Sequence, residues 1–374
     1  MIDIIITLDY EIFGNGTGDV IKHIIQPTNR LLEICDRYNA KLTIMFEIGE
    51  YWAFKEAESE DKLENLDYSP SELMEKQAKD AIKRGHDVQL HLHPQWIGSE
   101  YINGYWKLNF NFWRLPNLPH GLGSKDDIFS IKGALHKGKT DLEKMLRCVN
   151  DNYECIGFRA GGWCIQPEKD VISAMKDVGI KVDTSVFKGG YENSGESFFD
   201  FRNANNNWGY WWTTNDNINL VGERGENIVE LPIYANFKWG ISNVKLTKLL
   251  TTIRREYEQG RNPYQFQKRS DTKNKLRLVK RLFKKTPIKW DFCKLSAREM
   301  KNFLDIVIEN NRRSRGSSIC IPVVMIGHSK DFFNQKEFEK FLKTCDKNYP
   351  RELIRFSTLQ TIVHKIEKEA LTWE

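Results

Sequence analysis

Six apolar, β-rich runs in this chain each end in an ionisable or polar cluster. Residues 2–8 run into Asp9-Tyr10-Glu11, 41–46 into Glu47, and 87–90 into His91-Leu92-His93. Residues 156–158 run into Arg159, 181–182 into Asp183-Thr184-Ser185, and 323–327 into His328. Charged and imidazole groups at the ends of apolar strands are costly unless paired or used. Parallel α/β sheets and barrels put their sites at the C-terminal ends of their strands. The six ends therefore read as one shared site.

Amphipathic stretches separate the runs. Leu31, Leu32, Ile34 and Cys35 recur at helical spacing. Ser69-Pro70-Ser71-Glu72 combines a capping box with Pro at the first helical position, predicting a helix to about Arg84 that Gly85 ends. Helices are also expected at 140–150, at 168–178 before Gly179, from the second box at Ser296–Glu299 to about Arg313, at 335–344 and at 358–369. Further strands are expected at 227–233 and 318–326. Strand alternating with helix predicts a parallel α/β fold. Residues 97–135 and 188–225 break the rhythm. Rich in Trp, Asn and Gly, they read as ordered, functional loops.

Aromatic residues make up 12% of the 374, enough for a large core, which excludes general disorder. No run of about 18 apolar residues exists, so no spanning helix is expected. The net charge of +5 is mild, and no nucleic-acid partner is expected. Seven cysteines, an odd number without CxxC spacing, argue against a disulfide framework or a cysteine zinc knuckle. The N-terminal MIDIIITLDYE lacks the features of a signal peptide and reads as the first strand, so the expected location is cytoplasmic.

His91 and His93 stand at i, i+2, which turns both imidazoles to one face of an extended segment. With a carboxylate from a neighbouring strand they would make a two-His-one-carboxylate metal site with open positions. Asp9 and Glu11 share the same spacing, and either could be the ligand and the other a base. A carboxylate base beside a divalent cation is the equipment of hydrolysis. Glu47 reads as support for the site or as a cap, and His86 as pointing away from it. Residues 268–289 carry ten Lys or Arg and one Asp, with Leu276, Val279, Leu282 and Phe283 at helical spacing. They read as a basic amphipathic helix, either docking on an anionic membrane or phosphorylated lipid carrier or forming a solvated insertion.

These residues resemble the polysaccharide deacetylases, the NodB-homology or carbohydrate esterase family 4 group. Thr7-Leu8-Asp9-Tyr10-Glu11 resembles the first family motif, and residues 85–94 (GHDVQLHLHP) the second. Phe158-Arg159-Ala160-Gly161-Gly162-Trp163 resembles the third, Asp183-Thr184-Ser185 the fourth and Ile326-Gly327-His328 the fifth. The resemblance spans about 1–329 and is nearest to the type associated with lipopolysaccharide or capsule synthesis. It implies a distorted (β/α)7-type barrel with long loops on its C-terminal face. On that reading 1–374 is one domain with insertions near 97–135, 188–225 and 261–290. It implies one divalent metal, most often zinc, with cobalt or nickel as alternatives, and removal of an N-acyl group from an aminosugar.

Carried over by position, the resemblance makes Asp9 the base, with Arg159 orienting it. His91 and His93 become metal ligands, and His328 the acid that protonates the leaving amine, oriented by Asp183. Tyr10 replaces the family's second Asp, which passes that ligand to Glu11. The two histidines are two apart where the family's are usually four apart. An amide at Gly161 or Gly162 would receive the oxyanion. Trp96, Trp163, Trp208, Trp211 and Trp212 either offer flat faces to sugar rings or pack in the core. The substrate would be an N-acylated saccharide, free, nucleotide-linked or lipid-linked; the last would place the protein at the inner membrane face. Two alternatives are a catalytically inactive, glycan-binding or assembly barrel, and a hydrolase of another small amide such as an N-formyl sugar.

Overall fold

The computed structural model describes residues 1–64, 66–205, 209–239, 246–265, 284–313 and 321–371. At its centre is a curled sheet of nine strands. β1 (Ile2–Tyr10) lies between β14 (Ile321–His328) and β2 (Leu42–Glu47). Beyond β2 follow β3 (Asp87–Leu92), β6 (Gly157–Ala160), β7 (Val182–Asp183) and β11 (Val229–Glu230), all paired in parallel. β10 (Trp211–Trp212) adds an antiparallel edge, and β15 (Ile354–Phe356) pairs with the start of β1. All nine residues of β1 are buried, which is why it reads as a continuous apolar run rather than an alternation.

The curl brings the far edge of the sheet back to β14. The Tyr234 N–H donates to Val324 O, and the Phe292 N–H to Ile326 O, both at 3.0 Å. These contacts are isolated bridges, so the α/β sheet is a mixed and partly closed barrel. Three hairpins lie outside it: β4 (Glu100–Ile102) with β5 (Tyr105–Lys107), β8 (Tyr191–Ser194) with β9 (Ser197–Asp200), and β12 (Ala235–Trp239) with β13 (Lys285–Lys289).

Helices fill the connections: α1 (Gln26–Arg37), α2 (Ile48–Ser59), α3 (Pro70–Lys83), α4 (Ile131–Leu146), α5 (Lys169–Val178), α6 (Leu246–Gln259), α7 (Ala297–Arg313), α8 (Gln335–Asn348) and α9 (Leu359–Leu371). Both serines cap their helices, and at Ser296 the box closes, its N–H donating to Glu299 Oε2 at 3.1 Å. Ser69 Oγ accepts the Glu72 N–H at 3.2 Å, and Ser296 Oγ accepts the Glu299 N–H at 3.4 Å. Gly179 ends α5 at φ 78°, a conformation that favours glycine. α2 was not expected. It starts at the last residue of β2 without turn residues, and its cap is Glu47 rather than the usual Ser, Thr, Asp or Asn.

The expected basic helix needs correction where it can be seen. Residues 285–289 form β13, and Pro287 within them would break a helix. Its part at 268–283 lies outside the described residues. Among the described residues no helix is long and apolar enough to cross a membrane.

His86 points away from the strand-end cluster, and because it immediately precedes β3 it also sits at the opposite end of the sheet. Its Nδ1 accepts the Leu42 N–H at 3.1 Å, so its proton is on Nε2, 3.0 Å from Asp36 Oδ1. Burial is the main force on it and pushes the imidazole down from 6.5 to about 4. The neutral ring is the folded form, so its stability contribution is whole above pH 6.5 and is lost as pH falls toward 4. That loss is expected to approach about 3 kcal/mol, read as the pH dependence of the denaturation midpoint. In His86→Gln the slope over this interval should flatten.

Candidate metal centre

Ladder register lines up the strand ends. Asp9 is opposite His328 across β1 and β14, Glu47 opposite His91 across β2 and β3, and His91 opposite Arg159 across β3 and β6. Alternation along the strand separates Tyr10 from its neighbours. Its ring stacks on Phe46 at 5.3 Å, while Asp9 and Glu11 meet the histidines.

Each of the two carboxylates is held by a cation on one oxygen and turned to imidazole with the other. Asp9 Oδ1 pairs with Arg159, and Asp9 Oδ2 stands 3.4 Å from His328 Nε2. Arg159 is fully buried and spends its other donors on Thr184 O and Thr7 Oγ1, both at 2.9 Å. Glu11 Oε1 pairs with Lys330 at 2.9 Å. Glu11 Oε2 faces His93 Nδ1 at 3.2 Å and His91 Nε2 at 3.7 Å. Burial opposes the Glu11 charge, but Lys330, His93 and His91 outweigh it and hold the carboxyl well below its usual range.

The atoms of this cluster fit a cation. His91 Nδ1 lies 2.8 Å from Arg159 O, which can only accept, so Nδ1 carries the proton and Nε2 is bare in the neutral ring. His91 Nε2 and Glu11 Oε2 are both buried without a hydrogen-bond partner. Two buried acceptors facing each other are costly unless a cation bridges them. Without one, a proton takes that role: burial pulls His91 down, but Asp9, Glu11 and Glu47 outweigh it and push it up to about 9. A metal binding here would release that proton. Donor atoms of Glu11, Glu47, His91 and His93 all lie within 4.8 Å of one another, as do those of Asp9, Glu11 and His328. Mixed imidazole and carboxylate donors suit zinc, cobalt, nickel or iron.

Glu47 does more than the sequence reading gave it. Its carboxylate accepts the His93 N–H at 2.9 and 3.0 Å and the Gly49 N–H at 2.9 Å, and lies 2.8 Å from His93 Nδ1. It caps α2 and fixes the second imidazole in one contact set. Sequence reasoning missed Lys330 and Glu50. Lys330 follows His328 at the same i, i+2 spacing that singled out the other two pairs, so the signal was present. Glu50 sits in the unforeseen α2, where both its oxygens accept the Ile12 N–H at 3.0 and 3.1 Å. Burial first, then Glu47 and Glu11, push its carboxyl well up.

Three expectations are corrected. Asp183 does not orient His328, whose Nδ1 has no hydrogen-bond partner. Asp183 instead accepts the Ser185 N–H at 2.8 Å and the Ser185 hydroxyl at 2.9 Å, and faces Glu230 across β7 and β11. Burial, the largest cause for each, raises both of these carboxyls. Trp96 is 2% exposed and packs on Trp106 and Phe54, so it has no face for a sugar. Trp211 is 3% exposed and donates its indole N–H to Ile218 O. Trp212 is half-buried, and Trp208 lies outside the described residues. Trp163 does reach the site, its ring edge-on to His328 at 6.1 Å.

Gly161 and Gly162 form the turn after β6. A Cβ on Gly161 would fall 2.5 Å from the His93 ring and 2.8 Å from its Cα. Gly162 and Trp163 follow at φ 57° and 60°. Gly161→Ala is expected to cost about 1–3 kcal/mol and to weaken metal retention by displacing His93. A denaturant midpoint and a metal assay on the same sample check both.

No protein-family model and no curated protein matches the sequence. Solved structures do. A Mycobacterium smegmatis protein assigned as a polysaccharide deacetylase is 11% identical, with 98% of this chain and 90% of that chain covered and a TM-score of 0.43. PuuE allantoinase is 8% identical, with 97% and 89% covered and a TM-score of 0.44. A GH57 branching enzyme from Thermococcus kodakaraensis is 11% identical, with 97% and 71% covered and a TM-score of 0.48. Likeness at this level assigns no role to any residue, and the chemistry rests on the cluster's own atoms.

Proposed function

We propose that this chain is a metal-dependent amide hydrolase that removes an N-acyl group, acetyl first among them, from an aminosugar of a cell-surface polysaccharide or its precursor. The observation that carries the reading is the pair of carboxylates, each tied to a cation and presented to imidazole. Glu11, His91 and His93, joined by Glu47, would hold the metal. A divalent ion there polarises a carbonyl and lowers the pKa of the water it binds.

The remaining chemistry belongs to the chain. Asp9 Oδ2 takes a proton from the attacking water, and Arg159, paired with Oδ1, holds the carboxylate in that orientation. Burial holds His328 well below its usual range, so it rests as the neutral imidazole, without the second proton that a general acid gives up. It acquires its proton in the reaction, from Asp9 Oδ2 at 3.4 Å, and delivers it to the leaving nitrogen. The Gly161 and Gly162 amides receive the oxyanion, and Trp163 walls the His328 side. The five-motif resemblance supports a saccharide substrate.

The test is release of acetate or formate, by a coupled assay, from N-acetyl and N-formyl aminosugars offered as monosaccharides, nucleotide sugars and oligosaccharides. Acetate release that requires added metal supports the reading. Preference for N-formyl sugars would move the acyl group, and no release from any of them, with metal bound, would favour a glycan-binding barrel.

A further inference from the structure

β1 ends at Tyr10, so Glu11 stands one residue beyond the last rung of its strand. The ladder between β1 and β14 sets Asp9 opposite His328, and continuing that register sets Glu11 opposite Lys330. With no ladder to hold it, Glu11 is held by the turn after β14 instead. Ser329 Oγ accepts the Glu11 N–H at 3.2 Å and donates to Glu11 O at 3.1 Å. Lys330 Nζ pairs with Glu11 Oε1 at 2.9 Å and donates to Ile12 O, also at 2.9 Å. Lys330 is 5% exposed, with its ammonium 5.9 Å from the centroid of the Phe13 ring.

We propose that Lys330 is a positioning residue of the metal centre: it occupies Glu11 Oε1, so that this carboxylate offers a metal one oxygen and not two. The role rests on the metal-dependent reading and adds to it what keeps a coordination position open.

The two oxygens of Glu11 have different surroundings. Oε2 faces His93 Nδ1 at 3.2 Å and His91 Nε2 at 3.7 Å, and is buried without a hydrogen-bond partner. Oε1 faces an ammonium, which carries donors only and repels a second cation from that side. A charge-assisted hydrogen bond of this kind is strong, and breaking it would leave a buried lysine unpaired. Bidentate binding by Glu11 therefore has to displace Lys330. His91, His93 and Glu47 already bring three further donors to the cluster. A second oxygen from Glu11 would fill a position that a catalytic site keeps for water or substrate.

This role differs from that of a plain ion pair in the sign of its effect. A lysine that only tied the turn to β1 would weaken metal binding when lost. A lysine that withholds a ligand oxygen would strengthen metal binding when lost, because an oxygen is freed and a cation removed.

The experiment follows the visible absorption of the cobalt(II)-loaded 374-residue chain while a chelator competes for the ion. Cobalt absorbs strongly at low coordination number and weakly at high. Lys330→Met is expected to hold cobalt at least as tightly as wild type, with a weaker spectrum, and to lose acyl release by about 10–100-fold. In Glu11→Gln the ammonium selects the amide oxygen and turns the NH₂ group to the histidines, so cobalt affinity should fall by about 10–100-fold. Adding Lys330→Met to Glu11→Gln frees that oxygen and should recover about tenfold or more of the affinity. The double variant leaves neither member of the pair charged, so it carries the test even where Lys330→Met does not fold. A wild-type spectrum in Lys330→Met overturns the proposal, as does a double variant that binds cobalt no better than Glu11→Gln. A wild-type chain that takes up no cobalt removes the metal centre and this role with it. Altered spectra without acyl release from any sugar keep the role of Lys330 and remove the hydrolase.

Discussion

Purified without chelator, the 374-residue chain is expected to carry about one equivalent of divalent metal, and His91→Ala less than about a tenth of that. The size of the effect follows from the geometry. His91 Nε2 is one of two buried acceptors with no hydrogen-bond partner, and Arg159 O fixes the ring so that this lone pair points at Glu11. Removing the imidazole takes away a ligand that the fold has already oriented at its own cost. What remains is two carboxylates and His93, whose Nδ1 is already engaged by Glu47 at 2.8 Å. A ligand that binds only the folded state stabilises it by about 4 kcal/mol when present at a thousand times its Kd. Chelation should therefore lower the melting temperature of wild type and leave His91→Ala unmoved. Elemental analysis and a thermal shift with and without chelator read both outcomes. A wild-type chain that takes up neither zinc, cobalt nor nickel would remove the hydrolase and leave the glycan-binding barrel.

The strand ends were legible because a parallel sheet obeys two rules at once. Its strands are buried on both faces, so they appear as unbroken apolar runs, and the first polar residues after them mark the site. Asp9, Glu11, His91, His93, Arg159 and His328 came from that pattern, and all six converge. The same rule overreached at Asp183, which ends its strand but faces Glu230, one strand farther from β1. Sequence order did not show that β11 would bring a second carboxyl there. The tryptophans divided between the two readings open to them: Trp163 reaches the site, and Trp96 and Trp211 went to the core. An indole in a Trp- and Asn-rich loop looks exposed, but Trp96 and Trp106 fold those loops by burying their rings against Phe54. Support for the site was hidden where it came from unforeseen structure: Glu50 lies on α2, whose start carries no ordinary capping residue. Lys330 carries the same i, i+2 signal, two residues past His328, and pairs with Glu11.

Asp9→Asn is expected to lower kcat by about 10²–10⁴ while metal content stays near wild type. That loss amounts to about 3–5 kcal/mol in the barrier. The substitution is conservative where structure needs it, since an amide oxygen still accepts from Arg159 at the position of Oδ1. It removes the basic oxygen that faces His328 Nε2, and with it both the base and the first carrier of the proton. Arg159→Met is the contrasting change. It leaves the Asp9 charge buried and unpaired and withdraws donors from Thr184 O and Thr7 Oγ1, which should cost about 3–5 kcal/mol of stability. A chemical denaturation midpoint separates the two: Asp9→Asn should fold nearly as well as wild type and fail in turnover, whereas Arg159→Met should fail first in folding. Metal content then decides the role of Asp9. Turnover lost with metal retained assigns it the proton. Turnover and metal lost together place Asp9 among the ligands, in the group it forms with Glu11 and His328.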